Sequence, residues 1–439
     1  MELSFDKGTI QIKGEYETPY GIWDKRRGLY RAEGYQYKNL IEYLEKSDIP
    51  YEDKVFEPIS NPYFHSDINL REYQNEALTS WLKVKRGTLV MPTGSGKTVI
   101  ATKIIETLNT STFIVVPTLD LLSQWKEELE KAFQVDIGEY SGRKKEIKGI
   151  TISTYDSAYL NAEFLGNKFL LLIFDEVHHL PSEGYIHIGE AFASPYRLGL
   201  TATYERPDGR HTELNRILGG KIYEIHPDEL SGNYLSAYET KKIKVSFTER
   251  EKEEYEKTYD IFKNYLISRR IILKSPRDFQ KIIMRSGRDP AAREAILARN
   301  KAEKMAFNSH NKLKKVGELL DPDDRTIIFT KYNSMVYKIA QKFLIPYITH
   351  KTKKGEREEI LQKFRDGTYT TIVSSNVLNE GINVPEANVG IILSGTGSSR
   401  EYTQRLGRLL RPIEGKTAIL YELITDNTME IKISSRRKN

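Results

Sequence analysis

A chain of 439 residues suggests two to three domains, and its 39% hydrophobic residues are enough to build a core in each. It contains no cysteine, which excludes a disulfide framework, a cysteine zinc site and an iron–sulfur cluster. Charged residues make up 29% and the net charge is +6, a mildly basic balance that suits a nucleic-acid partner without identifying one.

The opening Met-Glu-Leu-Ser-Phe-Asp-Lys lacks the charged-then-apolar pattern of an export signal. No apolar run approaches the roughly 18 residues needed to span a bilayer. The expectation is a soluble intracellular protein with no membrane partner. Residues 1–65 read as a small α+β module: paired strands over 5–13 around Lys7-Gly8, a helix over 37–46, and a strand near 51–56. Within it Tyr16, Tyr20, Trp23, Lys25, Arg26, Arg27, Tyr30 and Arg31 interleave aromatics with cations. Two readings stand. Bases could stack on the rings, at about 1–3 kcal/mol each, while cations track phosphates. Alternatively the tyrosines are half-buried in a small β-module. Asn61-Pro62 marks a linker.

Residues 66–228 alternate strand and helix patterns, with strands predicted over 88–91, 113–116, 150–153, 169–174, 197–201 and 221–225. Such alternation implies a parallel, doubly wound sheet. After the first strand comes Met91-Pro92-Thr93-Gly94-Ser95-Gly96-Lys97-Thr98. Gly94 and Gly96 let the backbone curl around an anion, and the N–H groups at the following helix start point at phosphates. Lys97 would reach the β- and γ-phosphates and the Thr98 hydroxyl would hold Mg²⁺. Met91 stands where a glycine is usual. After the run 169–174 comes Asp175-Glu176-Val177-His178-His179. Asp175 would meet Mg²⁺, and Glu176 would orient or deprotonate the attacking water. His178 could touch the nucleotide or a coupling segment; His179 reads as packing or surface.

From Thr248 charged helix-formers dominate, with breaks at Ser275-Pro276 and Asp289-Pro290, so 229–300 reads as a linker and helical insertion. Arg269, Arg270 and Lys274 could grip duplex nucleic acid there, or the helices could be a solvated spacer. Residues 301–439 return to strand–helix alternation through TIIF, TTIVSS, VGIIL and AILYEL and end in a polar basic tail. Between these strands, Gln404, Arg408 and Arg411 stand in QRLGRLLR. The two arginines, three apart, would share one helix face. Arginines so placed stabilise charge on a transferring phosphoryl group, worth about 10³–10⁵ in rate. The alternative is a basic helix facing nucleic acid or solvent.

Taken in order, these motifs resemble superfamily 2 helicases and translocases, which implies two RecA-like domains using ATP and Mg²⁺. The resemblance implies an adenine-reading segment at Leu70–Gln74, with Arg71 and Gln74 at the nucleotide beside Thr93, Gly94, Ser95, Gly96, Lys97 and Thr98. It implies strand-tracking at Val116-Pro117-Thr118 with Gln124-Trp125, and at Ile152-Ser153-Thr154-Tyr155, so that Thr118 and Thr154 face nucleic acid. Leu200-Thr201-Ala202-Thr203 resembles the segment coupling hydrolysis to motion. Residues 379–385 resemble the second domain's nucleotide-side loop, with Gly381 at the nucleotide and Asn383 where aspartate is common. Within the superfamily the chain is similar to the XPB group of DNA repair and transcription helicases. That likeness implies a damage-recognition-like module at 1–65, a DNA-gripping thumb at 229–300, and DNA contacts at Arg206 and Asp208. In Arg206-Pro207-Asp208, Pro207 replaces the group's glutamate. The implied substrates are single-stranded, forked or duplex DNA. The implied partners are a repair endonuclease in archaeal forms and a transcription–repair assembly in eukaryotic ones, in the nucleoid-bearing cytoplasm or the nucleus respectively. The alternatives are an ATP-driven DNA clamp with little unwinding and an RNA-directed ATPase. A metabolic phosphate-loop kinase is disfavoured by Gln404–Arg411 and the second alternating domain.

Overall fold

The computed structural model describes residues 1–14, 17–206, 208–230, 238–273, 276–375, 387–394 and 418–431. They fall into two compact units, one carried by Met1–Leu230 and the other by the described residues from 238 onward.

The first unit opens with a five-stranded sheet of β1 (Glu2–Asp6), β2 (Thr9–Lys13), β3 (Ile22–Asp24), β4 (Leu29–Glu33) and β5 (Glu52–Lys54), ordered β3-β4-β2-β1-β5. Lys7 and Gly8, at φ 47° and 81°, make the left-handed two-residue turn that matches the twist of the β1–β2 hairpin. Helix Tyr37–Lys46 buries Leu40 and Leu44 against Leu3, Ile10 and Ile12 of that sheet. The module is seated on the rest of the unit. Arg86 Nη2 donates to the Tyr35 carbonyl at 3.3 Å, and Arg216 lies over the Tyr35 ring at 5.1 Å. At Gly34 a Cβ would stand 2.4 Å from the Ala191 carbonyl oxygen, so the two segments approach too closely for any side chain.

The larger sheet holds β6 (Arg86–Val90), β7 (Thr112–Val116), β8 (Gly138–Tyr140), β9 (Ile150–Thr154), β10 (Leu171–Phe174), β11 (Tyr196–Thr201) and β12 (Lys221–Glu224). Their order is β12-β6-β11-β10-β7-β9-β8, and every pairing is parallel. β7 and β10 are buried at every position, which is why they read as unbroken apolar runs rather than alternation. In a parallel sheet all strands end on one edge, so the segments after β6, β11, β10, β7 and β9 emerge side by side. That edge receives the phosphate loop, the Asp-Glu-Val-His box, the Thr-Ala-Thr segment and the Thr118 and Thr154 segments.

The second unit contains β13 (Tyr238–Val245), β14 (Thr326–Phe329), β15 (Tyr347–Ile348), β16 (Thr371–Ser374), β17 (Val389–Ile392) and β18 (Ala418–Thr425), all parallel, in the order β13-β18-β17-β14-β16-β15. Between β13 and β14 run helices Glu249–Ser268, Pro276–Arg285, Pro290–Phe307 and His310–Leu319. Asp289 caps the third, accepting the Ala291 N–H at 3.0 Å, and Pro290 opens it. Residue 300 falls inside that helix. A buried alanine stripe, Ala292, Ala295, Ala298, Ala302 and Ala306, runs through it unbroken. At its base Tyr255 Oη accepts the Met429 N–H at 3.0 Å. Beside β18 the buried Lys312 ammonium donates to Glu430 at 2.7 and 2.8 Å and to the Leu393 carbonyl at 2.6 Å. Two parallel α/β sheets, an α+β module and a helical insertion are the architecture the sequence predicts.

Candidate functional site

The phosphate loop joins β6 to helix Lys97–Leu108. Gly94 and Gly96 take φ of 85° and 82°, in the left-handed region that favours glycine. At Gly96 a Cβ would stand 2.4 Å from Gln74 Nε2. The loop is therefore braced from the preceding helix. Gln74 Nε2 donates to the Ser95 carbonyl at 2.9 Å, its Oε1 accepts the Arg71 N–H at 3.0 Å, and Tyr73 Oη donates to Ser95 at 2.8 Å. Gln74 is buried and Arg71 exposed, so the amide expected at the adenine is engaged on the loop itself. Lys97 Nζ lies across the loop, donating to the Met91 and Pro92 carbonyls at 3.1 and 3.3 Å. The Thr93 hydroxyl is buried with no hydrogen-bond partner among the described residues. Gly96 supplies no side-chain cap to the helix start. Two left-handed glycines, an uncapped helix N-terminus, an unsatisfied hydroxyl and a folded-back ammonium together form a cradle that fits a nucleotide's phosphates.

Two strands away, β10 ends at Asp175. Its Oδ2 accepts the Trp125 indole N–H at 2.8 Å, its Oδ1 accepts the Glu176 N–H at 2.9 Å, and its carbonyl accepts Tyr155 Oη at 3.1 Å. Burial pushes the Asp175 carboxyl up, while the Lys97 charge and the Trp125 hydrogen bond pull it down without cancelling the rise. Glu176 is 9% exposed and sits at φ 46°, a left-handed backbone that non-glycine residues rarely adopt. His178 is buried, with Nδ1 at 3.1 Å from Thr201 Oγ1 and 3.4 Å from Glu176 Oε2. The Thr201 hydroxyl in turn donates to the Thr203 carbonyl at 2.8 Å. Glu176 is thus linked through His178 to the segment after β11. His179 is partly buried, its ring 5.9 Å from that of Tyr155.

Thr118 and Thr154 both cap helices. Thr118 Oγ1 accepts the Leu121 N–H at 3.2 Å and Thr154 Oγ1 the Ser157 N–H at 3.4 Å. Thr154 is only 9% exposed. Arg206 and Asp208 close on each other in a two-pronged pair at 3.0 and 2.7 Å. That pairing holds the Asp208 carboxyl well below its usual range. Arg206 Nη1 also donates to the His178 carbonyl. In the second unit Arg269 is exposed and lies 3.6 Å from Asp289, while Arg270 is exposed at φ 51°. In the N-terminal module Trp23 packs edge-on to Tyr30 at 5.0 Å and stays half-exposed beside the exposed Lys25, Arg26 and Arg27. Tyr16, Pro207, Lys274, Gly381, Asn383, Gln404, Arg408 and Arg411 lie outside the described residues.

Trp125, Glu128, Tyr155 and Thr201 join the site without having been singled out individually. In sequence Trp125 and Tyr155 stand only as members of the two strand-tracking segments. What sets them apart is the polar end of each ring, and a three-dimensional partner is needed to see that. Glu128 accepts Gln124 Nε2 at 2.7 Å and faces the Thr98 hydroxyl and Asp175. Burial pushes its carboxyl up.

A phosphate loop, an Asp-Glu-Val-His box and a Thr-Ala-Thr segment on neighbouring parallel strands, followed by a second parallel sheet, define a RecA-like nucleotide-dependent motor of superfamily 2. The chain is 45% identical over 438 residues to DNA 3'-5' translocase XPB2 of Sulfurisphaera tokodaii, covering 99% of each. It belongs to the XPB family of helicases and translocases. Residues 3–55 match the xeroderma pigmentosum group B helicase damage recognition domain, 67–206 the type III restriction enzyme res subunit, and 311–412 the helicase conserved C-terminal domain. DNA 3'-5' helicase XPB of Mycobacterium tuberculosis is 29% identical over 84% of this chain and 63% of its own length. The general transcription and DNA repair factor IIH subunit XPB of Danio rerio is 25% identical, and this chain spans about half of it, 52%. The Hef helicase domain of Pyrococcus furiosus shares the fold, with a TM-score of 0.53 at 18% identity over 83% of this chain and 97% of that one.

Proposed function

We propose that this protein is an ATP-driven DNA translocase that moves 3'→5' and serves DNA repair or transcription-linked duplex opening. The observation that carries this reading is the set of contacts that ties the Asp175-Glu176 box to the segments expected to meet DNA. Asp175 is tied to Trp125 and Tyr155, Glu176 to His178 and Thr201, and the His178 carbonyl to Arg206.

Lys97 and the loop N–H groups hold the phosphates, with Thr93 as a further donor. Glu176 orients the attacking water and takes its proton. Thr98 and Asp175 would hold Mg²⁺, which when bound neutralises developing phosphate charge. Few protein ligands suit that ion, and among the described residues no cluster of three or more His, Asp or Glu side chains is placed to hold a metal. Arg408, Arg411 and Gln404 complete the charge stabilisation, and Gly381 borders the nucleotide. Among the described residues no helix is long and apolar enough to cross a membrane. A repair endonuclease or transcription–repair factor is the proposed partner.

The mutual Arg206–Asp208 pair favours translocation with little strand separation, since two charges closed on each other are not presented to a fork. ATPase rates across single-stranded, duplex, forked and RNA substrates, run beside strand displacement, test the reading. We expect stimulation by DNA above RNA, with weak displacement. Equal stimulation by RNA would point to the RNA-directed alternative.

A further inference from the structure

Both segments expected to track the DNA strand end on the same residue, Asp175, one on its carboxylate and one on its backbone carbonyl. Helix Leu119–Phe133 starts at the Thr118 cap, and about two turns later Trp125 reaches Asp175 Oδ2 at 2.8 Å. Helix Tyr155–Leu160 starts at the Thr154 cap, and its first residue bonds the Asp175 carbonyl at 3.1 Å. Trp125 and Tyr155 are 1% and 2% exposed. Each is a stiff aromatic with two side-chain torsions and a polar tip, so a shift of its backbone is passed on rather than absorbed.

We propose that Trp125 and Tyr155 are positioning residues of a relay, through which DNA bound along the Thr118 and Thr154 segments sets the geometry of Asp175 for Mg²⁺. The relay rests on the DNA-motor reading above. It adds where stimulation enters the hydrolysis site: from behind the metal ligands, through helix Leu119–Phe133. Trp125 holds one oxygen of Asp175 by a single N–H, leaving that oxygen a second lone pair for a cation or its water. Displacements near 1 Å at such a centre change rates by about 10²-fold, so a small helix shift is a sufficient signal.

Trp125→Phe keeps an aromatic ring in the core and removes the N–H. Tyr155→Phe does the same on the other arm, and provides the test if Trp125→Phe does not fold. Two quantities are measured on the full-length protein. One is the Mg²⁺ midpoint for binding a fluorescent ATP analogue, with and without single-stranded DNA. The other is the ratio of DNA-stimulated to basal ATPase. We expect wild type to bind nucleotide at lower Mg²⁺ when DNA is present. In either variant the midpoint should rise several-fold and cease to respond to DNA, and the stimulation ratio should fall about tenfold or more. Wild-type midpoint and stimulation in Trp125→Phe and Tyr155→Phe would overturn the relay. So would a raised midpoint with full stimulation, because the residues would then support the metal site without conveying anything. A wild-type protein that no DNA stimulates would instead refute the functional reading, a result separable from these.

Discussion

Glu176 stands in a left-handed backbone conformation at φ 46°, buried, two residues past the end of β10. A glycine would relieve that strain, so a carboxylate at this position points to chemistry over stability. Glutamine preserves the size and the backbone while removing the base. Glu176→Gln should therefore bind ATP normally and lose about 10²-fold or more in turnover. Lys97→Ala should act on binding instead, since its ammonium spans the loop carbonyls of Met91 and Pro92 where phosphate oxygens would compete for it. Equilibrium binding of a fluorescent nucleotide, measured beside steady-state ATPase, separates the two effects. Glu176→Gln retaining more than about a tenth of the rate would remove it as the base.

At the level of elements, the stretch around Asn61-Pro62 behaves as a staple as well as a connector. Phe64 is fully buried against Phe133, and the Ser66 N–H and hydroxyl both donate to Glu106 on helix Lys97–Leu108, at 3.2 and 2.7 Å. Burial alone would raise the Glu106 carboxyl. The hydrogen bonds from Lys103 and Ser66 outweigh it and bring the group down to about 2. A carboxylate depressed on folding adds stability that is present above its ordinary value near 4.5 and lost as pH falls through about 2. Glu106→Gln should accordingly lower the melting temperature at neutral pH, by the equivalent of about 1–2 kcal/mol. The gap to wild type should close as pH falls below 4.5. Melting curves of the two proteins across that window decide it, and a gap that is constant with pH would mean the carboxylate's charge is not what holds the linker.

For the whole molecule, the ATPase reading joins the first unit to residues far along the chain. If Arg408 and Arg411 stabilise the transferring phosphoryl group, Arg408→Ala and Arg411→Ala should each remove most DNA-stimulated turnover, by about 10³-fold or more. Nucleotide affinity should change little, because the phosphate cradle lies wholly within Met1–Leu230. Normal stimulated ATPase in both variants would exclude a mechanism that needs the second unit for chemistry.

Much of this was legible in the amino acids because it is local. GSGKT after a short apolar run and DEVH after FLLLIF depend on residues within a few positions of each other. Strands buried on both faces show as continuous apolar runs, and β10 and β14 lie where those runs stand. The short β8 and the lysine-rich edge strand β13 escaped, since three residues show no period and an edge strand need not be apolar. Residue 300 looked like a boundary in a charged stretch, whereas the alanine face of Pro290–Phe307 continues past it. The tertiary structure alone decided which atoms meet. Trp125 and Asp175 lie 50 positions apart and Tyr155 and Asp175 lie 20 apart, and neither distance leaves a trace in periodicity. Parallel strand order brings the ends of β6, β11, β10, β7 and β9 to one edge, and a hydrogen bond's direction, set by packing, then turns two core-like aromatics into supports of the proposed metal ligand.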